Sequence, residues 1–252
     1  MRTTAILNQK GGVAKTTTTV NMAAILAADY RRRVLVVDAD SQANTTEFLG
    51  GQLLGRSTFA DMLRRMEVND PVCKTGLPGV QLLPADDSLM DLDLSKVEGK
   101  TVDVACLRNY LKQHNTAFDN VLVDCPPAFN AASAAALLAA DDVIIPIKMD
   151  AFSLRGMANL MRQIKNMQKI NPRLRLAGLL PTMTYKSAAV DEAMEVLKAS
   201  GLPVFPAIRR TPKVDDMTFA GTPLIQCSPR SAACMDYRRF VVEYLKGGEL
   251  HG

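Results

Sequence analysis

Seven short stretches of the chain are apolar along nearly their whole length, and this continuity limits the available folds more than any other feature. They fall at residues 4–7, 34–37, 80–83, 121–123, 143–147, 176–180 and 204–208. A strand with one wet face alternates apolar and polar residues, so near-continuous runs predict strands covered on both sides, as in a parallel sheet between two helical layers. Helix-forming stretches with apolar residues three and four apart separate most of them, at residues 15–28, 101–113, 131–139, 153–168, 188–199 and 231–245. A β-α order repeated in this way predicts an α/β fold built on an open, doubly wound, mostly parallel sheet. No internal repeat or linker interrupts the pattern, so residues 1–252 read as one domain. The least regular stretch, 50–100, is expected to carry a small helix near 61–65 among surface loops.

Composition narrows the function classes. With 48% hydrophobic and 22% charged residues, the chain is neither disordered nor a coiled coil. Its longest weakly polar stretch, 131–140, stops at Asp141 and Asp142, short of the roughly 20 residues that a membrane-spanning helix needs. The start of the chain has no basic leader with a small-residue cleavage site, so a cytoplasmic protein is expected. Five scattered cysteines without a CxxC pair, and two isolated histidines, His114 and His251, predict neither a disulfide framework nor a zinc site. Cys125 reads as a small buried filler and His114 as a surface residue. Charge is uneven: residues 1–150 hold 15 Lys and Arg against 18 Asp and Glu, whereas residues 151–252 hold 15 against 8. A basic second part suits either a solvated surface or a polyanion-binding face.

The chemistry concentrates after the first strand, in Asn8-Gln9-Lys10-Gly11-Gly12-Val13-Ala14-Lys15-Thr16-Thr17, which leads directly into a helix. Glycines let such a loop turn tightly and aim its N–H groups inward, so a polyphosphate meets a nest of donors at the positive end of a helix. Lys15 and Thr16 stand where a phosphate-binding lysine and a Mg²⁺-binding hydroxyl belong, although Gln9 and Ala14 replace both glycines of the G-x-x-x-x-G-K-[ST] pattern. Asp124 ends an apolar strand, where a carboxylate at the sheet's C-terminal edge can hold Mg²⁺ through water. Asp38 and Asp40 end another strand. Two residues apart, they point the same way, leaving one carboxylate for a water molecule and one for the metal's surroundings.

The loop does fit K-G-G-x-x-K-[ST]-[ST], in which Lys10 precedes the two glycines. There the chain resembles the ParA/MinD family of P-loop ATPases. Within that family, residues 8–17, Asp38-Ala39-Asp40-Ser41-Gln42-Ala43-Asn44 and Asp124-Cys125-Pro126-Pro127 look like the signatures of the Soj/ParA branch. Weaker matches at Pro146-Ile147, 152–156, Gly221-Thr222-Pro223-Leu224 and 228–231 extend the resemblance over nearly the whole chain. Ala14 and Ala43 stand where glycine is usual, and Ser41 where proline is.

The resemblance implies ATP and Mg²⁺ as cofactors. Lys10, Gly11, Gly12, Val13, Ala14, Lys15, Thr16 and Thr17 would cradle the nucleotide, with Thr16, Asp38 and Asp124 around the metal. Catalysis would fall to Lys10, Lys15 and Asp40, with Asp40 positioning water and Lys10 reaching across an ATP-dependent homodimer to the partner's phosphates. Contacts to the nucleotide base would lie between residues 181–183 and 209–213. The partners implied are nonspecific DNA and a ParB-like stimulating protein, placing the chain on the nucleoid. Arg155, Arg162, Lys165, Lys169, Arg209, Arg210, Lys213, Arg230, Arg238 and Arg239 are the candidate DNA contacts. The chain opens directly on its first strand, so no helix-turn-helix module is expected ahead of it. The alternative is a MinD-like positioning ATPase anchored to membrane by an amphipathic helix at 237–246, a stretch that would look the same if packed on the sheet.

Overall fold

The computed structural model describes residues 1–50, 56–68, 71–94 and 102–249. Its strands are β1 (Arg2–Ile6), β2 (Val34–Asp38), β3 (Cys73–Lys74), β4 (Val80–Leu83), β5 (Asn120–Asp124), β6 (Asp142–Lys148) and β7 (Arg175–Thr182). They form one sheet in the order β3-β4-β2-β5-β1-β6-β7, parallel except for β3. The helices are α1 (Lys15–Tyr30), α2 (Asn44–Phe48), α3 (Phe59–Leu63), α4 (Asp91–Leu94), α5 (Cys106–Gln113), α6 (Ala131–Ala139), α7 (Ala151–Gln168), α8 (Ala188–Ala199), α9 (Lys213–Ala220), α10 (Leu224–Cys227) and α11 (Ala232–Glu249).

Both faces of the sheet are covered, and the strands feed two separate cores by alternation. Ala5, Leu35, Val37, Val121, Val123, Val143 and Ile145 join one, with Phe59, Leu107, Leu137 and Leu160 from the helices on that side. Ile6, Val34, Val36, Leu122 and Ile144 join the other, beneath α1 and α11. This two-sided burial is the physical origin of the unbroken apolar runs.

The helix at 237–246 is the middle of α11. Its Tyr237, Phe240, Val241 and Tyr244 are at most 1% exposed, so the amphipathic stripe is spent on the sheet. Arg2 fixes the far end of that helix: it lies 3.9 Å from the centre of the Tyr244 ring, donates to the Tyr244 carbonyl and pairs with the buried Asp142, which Arg175 also holds. The Tyr244 hydroxyl is 2.7 Å from Thr4 Oγ1. No helix among the described residues is long and apolar enough to cross a membrane.

The structure departs from the sequence pattern in three places. Residues 204–208 are not a regular strand. The segment follows β7 through Leu179 N–H to Pro203 O, Phe205 N–H to Leu179 O and Ile208 N–H to Pro181 O, each 2.8 Å, but Pro203 and Pro206 lack the donors that a continuous ladder requires. Gly178 lets the segment close in, because a Cβ there would meet the Phe205 ring at 2.6 Å. The expected helix at 101–113 begins only at Cys106, and the small helix at 61–65 lies at Phe59–Leu63. Residues 51–55, 69–70 and 95–101 of the irregular stretch lie outside the described residues, as does the side chain of Arg155.

Phe240 meets Phe205 edge-on, with ring centres 5.0 Å apart, and is fully buried. Replacing it by alanine should cost about 3–5 kcal/mol. Urea unfolding measures this, and a loss below about 1 kcal/mol would mean that α11 is not a structural helix.

Candidate nucleotide site

Register places the site. Ile6 of β1 and Asp38 of β2 both pair with Asp124 of β5, so three strands end at one level and deliver their following loops side by side. The loop after β1 is open at Gly11 and Gly12 and anchored at its edges. Asn8 donates to Pro146 O (2.7 Å) and accepts from Lys10 N–H (3.0 Å), while the Val13 carbonyl accepts from Thr182 Oγ1 (3.1 Å). Gln9 is clasped by α7, donating to Gln163 (2.8 Å) and accepting from Asn159 (3.0 Å). Gly12 has φ +67° and Ala14 φ 69°. No side chain caps the start of α1, so its first N–H groups remain available to an anion.

Lys15 is 8% exposed, and its Nζ donates to the Lys10 carbonyl at 3.3 Å. Burial pulls its ammonium below the ordinary lysine value, against the opposing attraction of Asp124 and Asp40. Lys10 points outward and pairs with Asp150 at 2.8 Å through both carboxylate oxygens, with roughly a third of each side chain exposed.

Asp124 is 1% exposed. Its Oδ2 accepts from the hydroxyls of Thr16 and Thr45, each at 2.6 Å, while Oδ1 is buried without a partner among the described residues. Burial raises its pKa to about 6. A buried carboxylate oxygen with an open valence, beside a threonine hydroxyl and a lysine under a phosphate-type loop, fits a hydrated Mg²⁺. Asp38 is placed differently. Its Oδ2 accepts from the backbone and hydroxyl of Thr46 (both 2.8 Å) and its Oδ1 from Asp40 N–H (3.1 Å). Burial, and then Asp124, raise its pKa to about 7. Asp38 therefore shapes the loop that carries Asp40 and has donors on both oxygens. Asp40 is half-exposed and accepts from Gln42 N–H at 3.1 Å.

Beside Ala14 and Thr17 lies a cavity of about 340 Å³ bounded by Thr182, Met183, Tyr185, Arg209, Arg210 and Pro212. Of the loop, Ala14 and Thr17 line this cavity together with the segments around 181–183 and 209–213, whereas Asp38, Asp40 and Asp124 are not among its lining residues; Thr16 and Asp124 meet by direct hydrogen bond beneath the loop. Thr45, Thr46 and Asp150 are not picked out by the sequence pattern, because hydroxyls at a helix start look like local caps and Asp150 is 140 residues from Lys10.

A family model described as an AAA domain matches residues 1–176. The chain is 35% identical to the chromosome partitioning protein ParA of Caulobacter vibrioides, over 97% of this chain and 94% of that one. It is also 33% identical to the chromosome-partitioning ATPase Soj of Thermus thermophilus, over 97% and 96%. The chain belongs to the ParA/MinD family of P-loop ATPases. Among solved structures it is similar to cobyrinic acid a,c-diamide synthase of Mycobacterium smegmatis with bound ATP analog and magnesium. That similarity has a TM-score of 0.85 and 30% identity, over 99% and 96% of the two chains.

For a ParA/MinD-family chain the acidic pocket has a cost that can be read in stability. The Asp124 pKa is higher folded than unfolded, so its contribution to stability is largest below about pH 4 and is lost as pH rises through about 6. With nucleotide and metal withheld, the stability of Asp124→Asn relative to wild type should rise by about 2–3 kcal/mol between pH 4 and pH 8. Urea midpoints across that range check it; a pH-independent difference would refute it.

Proposed function

We propose that this chain is a partition ATPase of the ParA/Soj type, a single P-loop domain over residues 1–252. On this reading it dimerises on ATP, binds DNA without sequence preference, and hydrolyses ATP when a ParB-like partner stimulates it. The observation that carries the reading is the pair of lysines on one loop: Lys15 buried beneath it, Lys10 at its outer rim. The inner lysine suits the chain's own nucleotide, and the outer one suits phosphates presented by a second protomer.

The roles follow from position. N–H groups of residues 11–17 and the Lys15 ammonium hold the polyphosphate. Thr16 and Asp124 hold Mg²⁺, which when bound neutralises charge on the β- and γ-phosphates. Asp40 orients the attacking water, and Asp38 fixes the loop that presents it. Loss of the γ-phosphate removes what Lys10 grips across the dimer, returning it to Asp150. Arg209, Arg210 and Lys213 are exposed on one continuous segment beside the nucleotide cavity. They are the basic groups best placed to couple nucleotide state to a polyanion on the nucleoid. The buried stripe of α11 favours this role over membrane anchoring.

Lys15→Ala should weaken ATP binding by about 1.5–3 kcal/mol or more, the worth of a lost charge-assisted contact, as read by calorimetry. Asp40→Ala should retain ATP affinity while turnover falls roughly 100-fold or more. With that variant held in ATP, duplex DNA of random sequence should bind, with log K falling by about 0.9 per neutralised phosphate for each tenfold rise in salt. Replacing Arg209, Arg210 and Lys213 with alanine should abolish that DNA binding in a gel-shift assay. Binding to anionic vesicles without DNA binding would overturn the reading.

A further inference from the structure

Two adjacent threonines follow Asn44 in the first turn of α2, and each is buried: Thr45 at 0% and Thr46 at 3% exposure. A buried hydroxyl has to find a partner, and these find carboxylates. Thr46 serves Asp38 and accepts from Ala85 N–H at 2.9 Å. Thr45 reaches across to β5 and places its hydroxyl on Asp124 Oδ2, the oxygen that Thr16 already occupies.

The doubling matters because a carboxylate is two-fold symmetric. With Thr16 as its one donor, Asp124 could present either oxygen to the loop. Two hydroxyls on Oδ2 make the oxygens unequal: Oδ2 is saturated and Oδ1 is the one left open. We propose that Thr45 is a positioning residue of the metal site, fixing the Asp124 carboxylate so that Oδ1 stays available to the hydration shell of Mg²⁺ while Oδ2 holds the Thr16 hydroxyl. This rests on the Mg²⁺–nucleotide reading above. It also gives α2 a double role, since Thr45 and Thr46 tie the metal-side carboxylate and the Asp38–Asp40 loop to the same helical turn.

The test uses the full chain with ADP and Mn²⁺ as a spectroscopic stand-in for Mg²⁺. Mn²⁺ uptake is followed by electron paramagnetic resonance, and ADP affinity is measured separately in chelator. Thr45→Val keeps the shape and removes the hydroxyl; it should lower Mn²⁺ affinity in the ADP complex roughly 10–100-fold, as loss of a ligand-orienting hydrogen bond does. Metal-free ADP affinity should be unchanged. Thr45→Ser restores the hydroxyl and should restore Mn²⁺ binding, and Thr45→Ala stands in should the valine variant not fold. Wild-type Mn²⁺ affinity in the valine or alanine variant, equal loss in the serine variant, or a matching loss of metal-free ADP affinity would each overturn the proposal. A wild-type ADP complex that takes up no Mn²⁺ would instead sink the nucleotide reading on which it stands.

Discussion

A carboxylate sealed at the end of the central strand organises the rest of the site. Asp124 is almost fully buried, and a buried charge is tolerated only when hydrogen bonds or a counter-charge attend it. The surrounding architecture supplies both. β1 and β2 flank β5 in parallel register, so the loops they feed meet at this residue. Thr16 arrives with α1, Thr45 with α2 and the Lys15 ammonium with the phosphate-type loop. The remaining open oxygen marks the place where the described residues leave these electrostatics incomplete, and where a cation with bound nucleotide would complete them.

Much of this was legible in the sequence because it depends on local chemistry. Continuous apolar runs at 34–37 and 121–123 need burial on both faces, and a parallel sheet provides that. Lys10 to Thr17 reads as a phosphate loop because glycines, lysines and hydroxyls at that spacing have few other uses between a strand and a helix. What escaped depends on approach in space. The 204–208 segment is apolar enough for a strand, but its prolines and the space left by Gly178 make it an irregular edge. The two strand-end aspartates look equivalent in sequence, yet Thr46 and the Asp40 amide claim both oxygens of Asp38 while one oxygen of Asp124 stays open. The Asp150 partner of Lys10 could not be seen from either segment alone.

The opposite end of the sheet is closed just as firmly. Arg2, Asp142, Arg175 and Tyr244 join β1, β6, β7 and the last long helix. The chain's beginning and the end of its apolar stripe thereby stabilise one another far from the chemistry, leaving the loop-bearing end as the side on which rearrangement disturbs least of the core.

Ala14 and Ala43 both sit in the left-handed region that favours glycine, at φ 69° and 52°, immediately before α1 and α2. An alanine held there costs about 1–2 kcal/mol. It also samples fewer conformations than glycine when the chain is unfolded, which offsets roughly 0.4–1 kcal/mol of that cost. Such a conformation persists only where its surroundings hold it, so the packing around both entrances to the site carries this strain from the moment of folding, and any shift of either loop that lets its alanine leave the left-handed region releases part of it.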